Sequence, residues 1–424
     1  MTFLALAVLP ALLLVIGVPI FAVLIVATVG GILLSINPIQ AIHSAMFGSL
    51  DIFPLLAVPL FIYAGDIMSR GGIAQRLIDL ILSVIGAVRG ALGIATIAAC
   101  EVFSVMSGSS VACVAAIGKT MIPALRKNGY GQTFPVSLVT ATGVIDIITP
   151  PSITMIIYGI VAQQSVPKLF LAGFPAGILI GIALAIYVVF YARAKNIPVT
   201  APTERKGVRA ALKHAIWSIF APVVIFGGIY GGLFTPTEAA GVACIYAIVI
   251  SLFVHRELTW RELWTITVDS AMLSAQVLII VAAAGAFAWL ITTSGYPAKL
   301  VGFVEGLKLS PWLLLLVINL ILLFVGSILE PPAAILLLTP LITPIVYAAG
   351  VDPIHFGIIF TVNLAIGMFM PPFGLNLFAA HALFKTPLPE LYRGVLPFLF
   401  IYLAMLMLIT YVPAITLAPL ALFK

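Results

Sequence analysis

Charge is scarce in this sequence. Only 8% of its 424 residues are Asp, Glu, Lys or Arg, against about a quarter in an ordinary soluble domain. With an apolar share of 63%, that shortage excludes a water-soluble globular domain. Cysteine is rare as well. Cys100, Cys113 and Cys244 all sit in apolar runs without metal-type spacing, which excludes a cysteine metal centre and leaves them packing roles. The period-two alternation of a spanning β-barrel is missing, so helices must do any crossing. No basic stretch precedes "MTFLALAVLPALLLVIGVPI", which therefore reads as a first span and not as a cleaved signal peptide. The net charge of +6 is explained by loop lysines and arginines held on the cytoplasmic side, and is no nucleic-acid signature.

What is present is a series of apolar runs, each long enough to cross about 30 Å of hydrocarbon as helix. They predict one polytopic helical domain over 1–424. The polar stretch from Arg193 to Lys213 carries six basic residues against the single acid Glu204, which places it in the cytoplasm. Spans over 216–232 and 237–254 then return the chain to the same side at Arg256 and Arg261. Upstream, 170–192 leads out to Lys168, and an interrupted span, 132–162, leads back to Arg126-Lys127. The interval between Arg89 and Arg126 has its midpoint at Ser107-Gly108, which predicts a re-entrant hairpin opening to the cytoplasm. In the second half, 266–291 leads outside. The interval from Pro311 to Gly350 then has its midpoint at Glu330-Pro331, a hairpin opening to the periplasm. A broken span over 355–381 and a last span over 395–418 follow. The stretch 3–36 divides at Gly17-Val18-Pro19 into two spans, and both termini fall on the periplasmic side.

These halves correspond. A shift of 221 residues carries Phe103 onto Phe324, Pro123 onto Pro344, Gly129 onto Gly350, and Pro150-Pro151 onto Pro371-Pro372. With the hairpins opening to opposite sides, the repeats are inverted, and interrupted segments at matching places point to a transporter's binding site. The expected fold is an all-α polytopic membrane protein in which each repeat holds a re-entrant hairpin and a Pro-Pro-broken helix. A scaffold over 3–69 and 214–291 would carry a moving core over 90–192 and 311–418. Interfacial arm helices over 74–89 and 297–310 would join them. Gly173, Gly177 and Gly181 read as helix-packing contacts.

The chemistry follows from the breaks. Paired prolines remove donors and unwind about one turn, exposing the carbonyls of Gly143 to Thr149 and of Leu364 to Met370. Facing the tips Ser107–Ser110 and Gly326–Glu330, these oxygens suit hard alkali cations. The half-helix N-termini near Ser152–Met155 and Phe373–Asn376 offer free N–H groups to an anion. Cation sites beside an anion site imply coupled uptake of an organic anion. Asp146 and Glu330 are ionisable at membrane depth and so are candidates for cation coordination or proton coupling. Glu101 stands open between that role and pairing with a neighbouring hydroxyl. Asp66, Asp79 and Asp269 are expected to be solvated, and His355 and His381 to be satisfied structural histidines. A proton-coupled carrier working without a binding protein, a passive channel, and an intramembrane serine hydrolase using "SGSS" with His381 are the other readings.

Five segments carry a resemblance over nearly the whole chain. They are "DIFPLLAVPLFIYAGDIMSRGGIAQRLI" from Asp51, "SGSSVACVAAIGKTMIPALRKNGY" from Ser107, "ITPPSITMIIYG" from Ile148, "GGLFTPTEAAGV" from Gly231 and "GVDPIHFGIIFTVNLAIGMFMPPFGLNLF" from Gly350. On them the chain resembles the large membrane subunit of the tripartite ATP-independent periplasmic (TRAP) transporters. The resemblance implies a bacterial inner-membrane transporter, not an enzyme, and no cofactor beyond Na+ as coupling ion. Its partners would be a periplasmic binding protein that delivers substrate, a small four-helix membrane subunit, and the lipid bilayer. Movement would be of the elevator type, and the cargo a small carboxylate such as a C4-dicarboxylate or a sugar acid like sialic acid. By motif match, one sodium site involves Ser107, Ser110, Gly143, Ile148 and Pro150, and the other Gly326, Gly367 and Met370. Asp146 joins the first set and Glu330 the second by position. The family usually has glycine where this chain has Asp146, and often an acid or threonine where it has Cys113. Ser109, Ser152, Thr154 and Asn376 are the expected substrate contacts.

Overall fold

A computed structural model describes residues 9–33, 38–85, 88–199 and 207–421. The extreme N-terminus and Glu204 of the basic loop, both used in the topology above, lie outside them. Every regular element among the described residues is helical, and nine helices are long and apolar enough to cross a membrane. The first apolar stretch is divided as expected, into Leu9–Val15 and Ile20–Leu33.

The duplication is visible in the element bounds. The first hairpin consists of Ala91–Ser107 and Ser110–Lys127, and the second of Pro311–Ile328 and Pro331–Ala348. Adding 221 to 110–127 gives 331–348, the bounds of the matching arm. Gly108 turns the first tip at φ +62, a left-handed conformation that a side chain would strain. The second arms start from matching N-cap residues, Ser109 and Glu330. Proline stands at the first turn of both arms of the second hairpin, where its missing N–H leaves nothing unsatisfied.

Each broken helix follows its hairpin. The first comprises Thr133–Thr142, a single turn Ile145–Ile148, the break, and Ile153–Val161. The second comprises Pro353–Gly367, the break, and Leu375–Phe384. Asp352 starts the second by accepting from the N–H groups of Ile354 and His355 at 2.8 and 3.0 Å, which satisfies two of the four orphan donors of a helix start. The first broken helix and the Pro353–Gly367 half of the second are almost wholly enclosed by protein and contact each other, whereas Pro372-Phe373 and much of Leu375–Phe384 are exposed. Tyr158, Phe356, Phe360, Phe369 and Tyr402 are fully buried around them. Tyr158 donates to the Pro353 carbonyl (2.9 Å) and Tyr402 to the Ala141 carbonyl (2.8 Å), so these apolar rings also satisfy buried backbone.

A second group of helices, Ile20–Leu33, Gln40–Leu50, Ala57–Arg70, Pro236–Val249 and Trp260–Thr293, packs on itself. Here the carboxylates expected to be merely solvated tie helices together. Ser270 donates to Asp66 (2.6 Å), Arg70 pairs with Asp269 (2.9 Å), and Tyr63 shares a hydrogen bond with Thr267 (2.9 Å). The helix Ile73–Val84 follows at Gly71-Gly72, where Arg76 pairs with Glu257 (2.6 Å). Its counterpart, Tyr296–Gly306, lies against Pro331–Ala348.

Candidate functional site

The two hairpins engage the two broken helices crosswise. The first arm of each packs on the broken helix of its own repeat, and the second arm packs both there and on the C-terminal half of the other repeat's. Ser110–Lys127 thus lies on Leu375–Phe384, and Pro331–Ala348 on Ile153–Val161. The tips and the breaks are brought together by this exchange.

At the first break the backbone is folded more tightly than a fully unwound turn. Both proline pairs are joined by cis peptide bonds. Thr149 N–H donates to the Ile145 carbonyl (2.8 Å) and Ile147 N–H to that of Val144 (3.0 Å), so the expected row of free carbonyls is partly occupied. Ser152 is occupied too, donating to the Ile147 carbonyl (2.5 Å) while accepting from Met155 N–H (3.4 Å) as the half-helix cap. Glycine makes the approach of hairpin and broken helix possible. A β-carbon on Gly143 would lie 3.3 Å from the Ser110 carbonyl oxygen. One on Gly108 would lie 3.3 Å from the Ile153 side chain and 3.8 Å from the Pro151 carbonyl.

Asp146 is fully buried in this corner, on the turn Ile145–Ile148. Neither carboxylate oxygen completes a hydrogen bond of good geometry, the Gly108 N–H of the hairpin tip approaching the carboxylate without forming one. Ionised carboxylates are rarely buried without a cation or several donors, because desolvation alone costs several kcal/mol. Beside it, Thr149 donates to Glu101 Oε2 (2.9 Å), a neighbouring hydroxyl as in one of the two readings above, and Oε1 is left without a partner. Gly173, Gly177 and Gly181 supply the space. β-Carbons there would strike Met155 and the Ile148 carbonyl, Thr149, and Glu101 in turn. They are packing glycines, as read, but what they pack is the break.

The second break mirrors the first with different chemistry. Gly367 lies so close to the hairpin that a β-carbon would fall on the backbone of Gly326 and Ser327. Asn376 N–H donates to the Met368 carbonyl (2.8 Å) and Gly374 N–H to that of Met370 (3.0 Å) across the break. Glu330 stands exposed at the tip and does not cap its helix. Ile148 and Pro150 are buried at the first break, and Met370 is half-buried at the second.

Of the expected substrate contacts, Ser109 is exposed at the tip and caps Ala112 N–H (3.4 Å), and Thr154 is buried behind Ser152. Asn376 is fully buried and joins the repeats: Ser110 Oγ donates to its Oδ1 at 3.1 Å. Sequence reasoning missed a buried polar rung in the second repeat, where Asn363 donates to Asn319 (2.8 Å) and Asn319 to Thr410 (3.1 Å). Two asparagines in otherwise apolar runs, four and seven residues before Gly367 and Gly326, were the available signal. His355 contacts Thr416 (2.8 Å) and the Thr410 carbonyl (3.2 Å), and His381 the Thr386 carbonyl (2.8 Å). Both are structural, and the serines of "SGSS" have other partners than His381. Among the described residues no three His, Cys, Asp or Glu side chains gather, so the oxygen donors here are carbonyls, hydroxyls and single carboxylates.

Comparison with known proteins agrees with this architecture. The family described as "Tripartite ATP-independent periplasmic transporter, DctM component" matches residues 3–415. A C4-dicarboxylate TRAP transporter large permease of Pseudomonas aeruginosa is 41% identical over 387 residues, 91% of each chain. An isethionate TRAP transporter permease of Oleidesulfovibrio alaskensis is also 41% identical, over 96% of this chain and 64% of its own longer one. An ectoine/5-hydroxyectoine large permease of Ruegeria pomeroyi is 37% identical over 96% and 95%. These relatives are named as permeases, which removes the hydrolase reading. Among solved structures, the Alcanivorax borkumensis YdaH transporter superposes with a TM-score of 0.70 over 95% of this chain and 97% of its own, at 13% identity, a likeness of fold.

Proposed function

The chain belongs to the DctM family of tripartite ATP-independent periplasmic transporters, and on that premise we propose that it imports a small organic carboxylate in symport with Na+. A periplasmic binding protein delivers the cargo, a small membrane subunit packs beside the helices around Trp260–Thr293, and the hairpins with their broken helices move as one body past them. The multi-pass chain sits in the bacterial inner membrane, with both termini periplasmic.

The observation that carries this reading is the pair of tip-to-break contacts, Ser110 against Gly143 and Gly326 against Gly367. Each sets a hairpin against a broken helix end, where partial negative charge and backbone oxygens suit a hard cation. Asp146, neither of whose oxygens completes a hydrogen bond, fits the first site as an anionic ligand beside Ser107, Ser110, Gly143, Ile148 and Pro150. Gly326, Gly367, Met370 and Glu330 serve the second. The sites are therefore unequal in charge and in exposure. Ser109, Thr154 and Asn376 surround the anion, and Ser152 caps the half-helix whose N–H groups receive it without a basic side chain. The relatives' names span a C4-dicarboxylate, isethionate and ectoine, so cargo differs from member to member. The carboxylate class proposed for this chain rests on the half-helix N-termini and hydroxyls that would receive an anion.

Vesicles containing the chain and its small subunit, supplied with loaded binding protein and no ATP, test the reading. An inward Na+ gradient drives uptake if it is right. Uptake that follows a proton gradient alone, or needs no gradient, would falsify it.

A further inference from the structure

Four observations converge on one contact. Ser110 belongs to the first hairpin tip and Asn376 to the second half of the other repeat's broken helix. Their side chains are buried and joined, Ser110 Oγ donating to Asn376 Oδ1 at 3.1 Å. The Ser110 carbonyl faces Gly143 in the first cation corner. Asn376 Nδ2 is buried without any partner, although it is a donor beside the N-terminus of a ten-residue helix. A buried unpaired amide donor is destabilising, and an anionic oxygen placed there would relieve it.

We propose that the Ser110–Asn376 hydrogen bond couples cation binding to anion binding. A cation held by Ser110 Oγ, beside the carbonyl of the same residue, turns the hydroxyl proton toward Oδ1 and polarises it, strengthening the donation. Oδ1 being held, Nδ2 points at the substrate's anionic oxygen. Without the cation the hydroxyl is free to turn, and the amide loses its orientation. Asn376 is thus a substrate donor whose aim is set by a cation ligand from the opposite repeat. This rests on the sodium-symport reading above. Because Asn376 Oδ1 is the acceptor that orients the Ser110 hydroxyl, substitution of Asn376 must weaken cation binding although its side chain touches no cation. By reciprocity, bound substrate must tighten it.

The test is thermal unfolding of the purified full-length chain titrated with NaCl against choline chloride at constant ionic strength, alongside vesicle uptake of succinate, isethionate and ectoine. Asn376→Ala should raise the sodium midpoint by about fivefold or more, the scale of an allosteric coupling, and abolish uptake. Asn376→Asp keeps an acceptor for Ser110 but loses the donor, so sodium binding should persist while uptake is lost. Ser110→Thr retains the hydroxyl and should behave as wild type, whereas Ser110→Ala should weaken sodium binding so far that adding Asn376→Ala costs nothing more. An unchanged sodium midpoint in Asn376→Ala, or additive effects in the double variant, overturns the coupling while leaving symport standing. A wild-type chain indifferent to NaCl against choline chloride would instead overturn the symport reading, and the coupling with it.

Discussion

Position 146 is where the two repeats differ most in chemistry. The 221-residue shift carries Asp146 onto Gly367, so one break has a buried carboxylate where the other has no side chain at all. Gly367 is needed for approach: a methyl group would fall on the backbone of Gly326 and Ser327, atoms that no rotamer change can clear. Gly367→Ala should therefore destabilise the chain by about 1–3 kcal/mol, typical of overpacking, and abolish uptake. An unchanged melting temperature in detergent would contradict that contact. Asp146→Asn keeps the shape and removes the charge. If Asp146 holds the first cation, this variant needs about tenfold more sodium for half-maximal uptake, equivalent to about 1.4 kcal/mol. Unaltered sodium dependence would remove Asp146 from the site.

At the scale of elements, the hairpins and broken helices were legible because proline, glycine and apolar run length set their ends. Ser110–Lys127 and Pro331–Ala348 coincide under the repeat for that reason. The crossed packing was not legible. The Ser110–Asn376 bond spans 266 residues, and no local pattern records which half-helix a hairpin arm will meet. Nor was the use of Ser152 as its own cap, since a serine after a proline pair serves a ligand or a helix start equally well. Asp66 and Asp269 escaped notice as helix ties because their partners, Ser270 and Arg70, depend on tertiary pairing. The root of Ile73–Val84 offers a pH test. His255 lies in the loop facing Gly71, and burial holds its pKa below the ordinary histidine value, helped by the Arg76 guanidinium and opposed by the Gly71 carbonyl and Glu257. The neutral ring is thus favoured by folding. Its contribution is present above the ordinary histidine range and is lost as pH falls through the lowered value. The melting temperature should drop between about pH 7 and pH 5, and drop less in His255→Gln. An identical pH profile for the two proteins would exclude His255 as the cause.

For the whole molecule, the inverted duplication yields two half-sites that are alike in backbone and unlike in side chains. One joins hydroxyls, a carboxylate and a cross-repeat amide. The other presents two glycines face to face, with Glu330 exposed at its tip. On the proposed sodium-symport reading, two unequal cation sites flanking one anion donor should fill in order and act together. The sodium dependence of the initial uptake rate, measured at fixed membrane potential with saturating loaded binding protein, reads this directly. Two coupled sites give a sigmoidal curve with a Hill coefficient above one, moving toward hyperbolic in Asp146→Asn. A hyperbolic curve in the wild-type protein, or uptake without sodium, would contradict it.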